Sequence, residues 1–100
     1  MIETPVYKGT EMRFDDLLSN LKKSNVGVVQ LLQSKPTPNS YDLVINEDIY
    51  LVGSCAMKVK VASGQSAMCI NDDVYVSLIG TEQSKVSEIE RIVQLNFTKL

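Results

Sequence analysis

Apolar and polar residues alternate through "YDLVINEDIYLVG" from Tyr41 and again through "SAMCINDDVYVSLIG" from Ser66. Within them, "INEDIYLV" at Ile45 and "INDDVYVS" at Ile70 are near copies, 25 positions apart. The alternation breaks at Asn46-Glu47-Asp48 in the first copy and at Asn71-Asp72-Asp73 in the second. Alternation on both sides of a short polar break reads as two strands joined by a tight turn. Asn and Asp suit such a turn because they tolerate left-handed backbone and hydrogen-bond their own chain. The repeat therefore predicts one hairpin used twice, with Ile45 facing Ile49 and Leu43 facing Leu51, then Ile70 facing Val74 and Met68 facing Val76.

Between the copies, Met57, Val59 and Val61 alternate with Lys58 and Lys60. Gly64-Gln65 suits a two-residue type II′ turn. It sets Val61 against Met68 and Val59 against Ile70, which extends the register of the second copy into the rows Val59–Ile70–Val74 and Val61–Met68–Val76. A slip of one residue would send each row to the opposite face. The same register puts Cys55 opposite Val74 and about 17 Å from Cys69 along the strand, beyond the α-carbon limit of about 7 Å for a disulfide. Cys55 falls on the Val59 face and Cys69 on the Lys60 face, as two free thiols.

Phe14, Leu17, Leu18 and Leu21 recur at helical spacing after Thr10, a candidate N-cap, with Asp15 and Asp16 early and Lys22 and Lys23 in the last turn. This predicts a helix from Glu11 to Ser24. A strand "VGVVQLLQ" follows from Val26, and then "SKPTPNS", whose Pro36 and Pro38 predict a loop. Val86, Ile89, Val93 and Phe97 form the apolar stripe of a second helix, with Glu88, Glu90 and Arg91 mostly away from it. The expected architecture is α+β in one domain over residues 1–100: an antiparallel β-meander of about five strands, with an N-terminal and a C-terminal helix packed on one face.

By the same parity, the other face of the sheet holds Val44, Tyr50, Val52, Ala56 and Lys58. Lys60, Cys69, Tyr75, Ser77 and Ile79 continue it. This is more apolar than a solvated face requires, and Tyr50 and Tyr75 are matching residues of the two copies. An apolar, aromatic patch with a polar rim is the composition of an interface core. An edge strand at Val26 or Val74 would also be open to pairing across a two-fold axis.

Composition narrows the chemistry. The 100 residues are 44% hydrophobic and 22% charged, as in an ordinary globular domain, with a formal charge of -2. That balance gives no long-range field for nucleic acid or anionic lipid. Histidine is absent, which removes the commonest general base and metal ligand. The acidic triplets match no EF-hand spacing, and Asp15-Asp16 read as a solvated helical turn, so no catalytic residue, cofactor or metal is expected. No apolar run reaches membrane-spanning length, and the start "MIETPVYKGTEMR" lacks the basic and then apolar segments of a signal peptide, so the expected compartment is the cytoplasm.

The functional expectation is a non-enzymatic protein-binding module and homodimer, an inhibitor or adaptor of the kind phages and mobile elements deploy, acting by occlusion. Its contact residues are Val44, Tyr50, Val52, Lys58, Lys60, Tyr75 and Ile79. The alternative is a single-stranded nucleic-acid or nucleotide-binding sheet in which Tyr50 and Tyr75 stack bases beside Lys58 and Lys60. Acidic turn tips beside that face and only two arginines, Arg13 and Arg91, weigh against it.

Overall fold

A computed structural model of the chain describes residues 1–38, 43–64 and 73–100. Helix α1 spans Glu11–Lys23 and starts as the sequence predicts: the Thr10 hydroxyl accepts the Arg13 backbone N–H at 3.3 Å. Phe14, Leu17 and Leu21 are buried. Helix α2 spans Gln83–Val93 and buries Val86, Ile89 and Val93. It stops short of Phe97, whose N–H closes the last turn onto the Val93 carbonyl at 3.0 Å. The Phe97 ring then packs against Gly9, where an added Cβ would sit 2.7 Å from it.

Among the described residues seven strands form one antiparallel sheet: β1 Ile2–Glu3, β2 Tyr7–Thr10, β3 Val29–Pro38, β4 Leu43–Val52, β5 Cys55–Gly64, β6 Asp73–Gly80 and β7 Thr98–Lys99. Their order is β3-β4-β5-β6-β2-β7, with β1 also on β6. The stretch β3 to β6 is the expected meander. The additional strands are the short ones at the chain ends, two to four residues long, too brief to show a period. Strands β1 and β2 run along β6 in succession across a bulge. There the Thr4 N–H donates to the Leu78 carbonyl at 3.0 Å and the Thr4 hydroxyl accepts the Leu78 N–H at 2.9 Å.

The hairpin expected within the first copy of the repeat is overturned. Strand β4 runs unbroken through Asn46-Glu47-Asp48, so Ile45 and Ile49 share a strand instead of facing each other. The turn falls at Gly53-Ser54, where Val52 faces Cys55 and Gly53 has φ +60°, as the first position of a type II′ turn requires. The local turn preference of the acidic triplet loses because β4 has a strand on each side. Ser34 donates to Asp48 Oδ1 at 2.6 Å from β3, and Lys60 meets Glu47 at 3.7 Å from β5.

Ser34 to Pro38, expected as a loop, is the second half of β3, and the strand begins at Val29 rather than Val26. The prolines are tolerated because β3 is an edge strand with a partner on one side alone among the described residues, the place where a strand accommodates a nitrogen that cannot donate. The rows expected to join Val59 to Val74 and Val61 to Val76 through an intervening strand are replaced by direct pairing of β5 with β6. Val59 pairs with Val76 and Val61 with Val74, while β4 holds the other side. Cys55 accordingly faces Val52, not Val74. Gly64, expected as the first position of a turn, closes β5 opposite Leu43; Gln65, Met68, Cys69, Ile70, Asn71 and Asp72 lie outside the described residues.

Both helices lie on one face of the sheet. They bury Val52, Cys55, Met57, Val59, Val74, Val76 and Leu78 beneath Leu17, Leu21, Val86 and Val93. Cys55 is a buried free thiol on the Val59 side, as expected. Buried Tyr7 ties β2 to α2: its hydroxyl donates to Glu90 Oε2 at 2.6 Å and accepts from Gln94 Nε2 at 3.0 Å. Burial, and then the bond to Glu90, raise its pKa above the ordinary 10.0. A raised folded pKa means this stabilisation is complete below pH 10.0 and is lost as pH climbs through the folded value. Tyr7→Phe should therefore cost about 1–2 kcal/mol at neutral pH and flatten the alkaline fall in stability. Urea titrations across alkaline pH check both effects.

Candidate protein-binding face

The sheet face turned away from the helices is built by cross-strand register. Its middle row runs Lys35–Glu47–Lys60–Tyr75–Lys8 across β3, β4, β5, β6 and β2. The next row toward the Gly53-Ser54 turn is Gln33–Ile49–Lys58–Ser77, and the one beyond is Leu51–Ala56–Ile79–Glu3. Ile49, Leu51, Ala56 and Ile79 form a contiguous apolar patch, with Tyr75 beside it and the charged row as its rim. No helix or loop among the described residues packs over this face. Its middle is a shallow concavity of about 640 Å³ bordered by Val6, Ile49, Lys58 and Tyr75.

Of the residues expected here, Lys58, Lys60, Tyr75 and Ile79 are in place, with Ala56 and Ser77. Tyr50 and Val52 are not. Val52 is 0% exposed in the core. Tyr50 packs partly buried on the helix side, its ring edge-on to Phe14 with centroids 5.7 Å apart. Burial first, then the charges of Asp48 and Asp15, raise the pKa of its hydroxyl. Val44 is placed by its backbone alone, opposite Ser63 and Pro38; its side chain, like Cys69, lies outside the described part.

The reason for the correction is the Gly53-Ser54 turn. Val52 and Cys55 face each other across it and must share a side, and Cys55 shares its side with Met57 and Val59, so Tyr50 and Val52 point toward the helices. The residues they displace are Ile49 and Leu51, which the sequence reading missed. The signal was present: glycine at the first position of a two-residue loop fixes the parity of both flanking strands.

The charges of the face are partly matched within it. Lys60 lies 3.7 Å from Glu47 and Lys8 lies 3.8 Å from Asp73, in exposed pairs that contribute little to stability. Among the described residues Lys35, Lys58 and Glu3 form no ion pair. Glu47 and Asp48 are successive on β4 and so project to opposite faces, which splits the acidic pair. Among the described residues no three His, Cys, Asp or Glu side chains gather as a metal site would need.

No family model, curated protein or solved structure matches the chain. Function must be argued from the face itself. Among the described residues no helix is long and apolar enough to cross a membrane.

The free edge of the sheet was the other place expected to pair. Strand β6 is interior, so only β3 qualifies there. It exposes Leu31 and Leu32. However, a register shift between Leu31 and Gln33, then Lys35, Pro36 and Pro38, interrupt it. Bulges, lysines and prolines are the devices that blunt an edge against strand addition, which leaves the flat face as the candidate.

Proposed function

We propose that the chain is a non-catalytic protein-binding module that acts by occlusion, an inhibitor or adaptor whose contact surface is the outer face of the sheet. One observation carries this reading: a contiguous, half-buried patch of Ile49, Leu51, Ala56 and Ile79 beside Tyr75, over which no helix or loop packs among the described residues, while both helices seal the opposite face. Burying apolar area of this kind contributes roughly 25 cal/mol per Å², and an aromatic at the centre is the usual anchor. Ile79→Arg and Tyr75→Ala should each abolish or weaken capture of a partner by at least about 10-fold. Stability should change by less than about 1 kcal/mol, because neither side chain is in the core. Pull-down and cross-linking with matched thermal melts test this; capture unaffected by both changes would remove the face from consideration.

The nucleic-acid alternative retains one specific feature, Tyr75 flanked across strands by Lys60 and Lys8. It loses the second tyrosine to the helix side, and both lysines already face carboxylates. Phosphate binding weakens steeply with salt whereas an apolar contact does not. Binding that survives 0.5 M salt and Lys58→Glu/Lys60→Glu, roughly three-fold unchanged or better, would dispose of this alternative.

A further inference from the structure

Resting on the binding-face reading, we propose that the occupant of the face is a second copy of the chain, packed sheet against sheet across a two-fold axis. Two quantities favour a copy over other occupants. The first is charge. A surface that meets itself must be nearly neutral, or it repels its image. The outer face carries Lys8, Lys35, Lys58 and Lys60 against Glu3, Glu47 and Asp73, four against three. The outer face is therefore close to neutral and does not repel its own image.

The second quantity is area. Five strands at about 4.8 Å, each contributing about seven residues at about 3.3 Å, give roughly 24 by 23 Å, or about 550 Å² per copy. Two faces then bury about 1,100 Å², just past the roughly 1,000 Å² at which specific interfaces begin. Two antiparallel sheets stack at about 10 Å with side chains interdigitated, which suits a patch of isoleucine, leucine and alanine.

Lys58 indicates where the axis passes. It stands next to the apolar patch without an ion-pair partner among the described residues, so covering it with an apolar surface alone would strand a charge. Glu3, on the same face and equally without an ion pair, supplies the missing carboxylate. Lys58 neighbours Ser77 and Glu3 neighbours Ile79. A two-fold axis passing by Ser77 and Ile79 therefore lays Glu3 of each copy over Lys58 of the other and puts Ile79 at the centre.

Sedimentation velocity over a micromolar to millimolar series tests this by charge swapping. The wild type is expected to dimerise. Lys58→Glu and Glu3→Lys should each weaken the dimer by about 10-fold or more, and the two combined should restore it. A dimer indifferent to the single reversals, or singles not rescued by the pair, overturns the proposal, as does a wild type that stays monomeric. Ile79→Arg separates the two readings. A monomeric wild type that captures a partner through Ile79 keeps the binding face and rejects the second copy; one that captures it regardless of Ile79 rejects both.

Discussion

Gly53→Ala should lower stability by about 3 kcal/mol, although it adds one methyl group at a turn. Gly53 holds φ +60°, and an L-residue there costs about 1–2 kcal/mol. The added Cβ would also lie 2.5 Å from the Val26 carbonyl oxygen. That oxygen belongs to backbone that has little room to retreat, because the Gly53 N–H donates to the Val28 carbonyl at 2.7 Å and Gly27 abuts Gly53. Overpacking of this kind costs a further 1–3 kcal/mol or so. The loop between α1 and β3 is pinned to the β4–β5 turn at this point, so the substitution loosens both. For a 100-residue chain the melting temperature should drop by about 12–20 °C. Ser54→Ala, the exposed neighbour in the same turn, should stay within about 0.5 kcal/mol. Equal effects at the two positions would mean that the turn is not held as described.

Val52→Asp should be more severe still, and it contrasts with Ile79→Asp. Val52 is fully buried, facing Cys55 on one side and Val29 on the other. A carboxylate there has no partner and should cost about 4 kcal/mol or more, a large part of the about 5–15 kcal/mol that holds a domain folded. On the outer face, Ile79→Asp should cost about 1 kcal/mol. Burial would raise the folded pKa of the new carboxyl, so the folded chain retains its proton at pH values where the unfolded chain releases it. The penalty is therefore smallest at acid pH and grows as pH rises through the folded value. Circular dichroism melts of both variants at acid and neutral pH would show this; a mild Val52→Asp would mean that the faces are assigned the wrong way round.

These two sites also mark where the sequence was legible. The helices were, because Thr10, the Leu17–Leu21 stripe and Val86–Val93 agree in propensity, capping and period. The sheet's existence and the lysine-bearing face of β5 were legible too, since Met57, Val59 and Val61 are apolar at one parity and Lys58 and Lys60 are charged at the other. Strand β4 was not. Ile49, Tyr50, Leu51 and Val52 are apolar at both parities, so period alone cannot choose a face, and the Asn-Glu-Asp triplet offered a turn in the wrong place. The matching tyrosines of the repeat consequently end on opposite sides of the sheet, Tyr50 against Phe14 and Tyr75 on the outer face. What decides between them is tertiary: β3 and β5 both pair with β4, and a local propensity yields to two ladders of cross-strand partners. The candidate site was legible where charge broke the ambiguity, at Lys58, Lys60, Tyr75 and Ile79, and illegible at Ile49 and Leu51 where it did not.

Among the described residues both helices dock on the same side of the sheet, and a body that binds through the other side alone has a valency of one. Joined to its own copy it closes after two and cannot run on into a filament. Joined to something larger, a body of that kind ends the surface it covers.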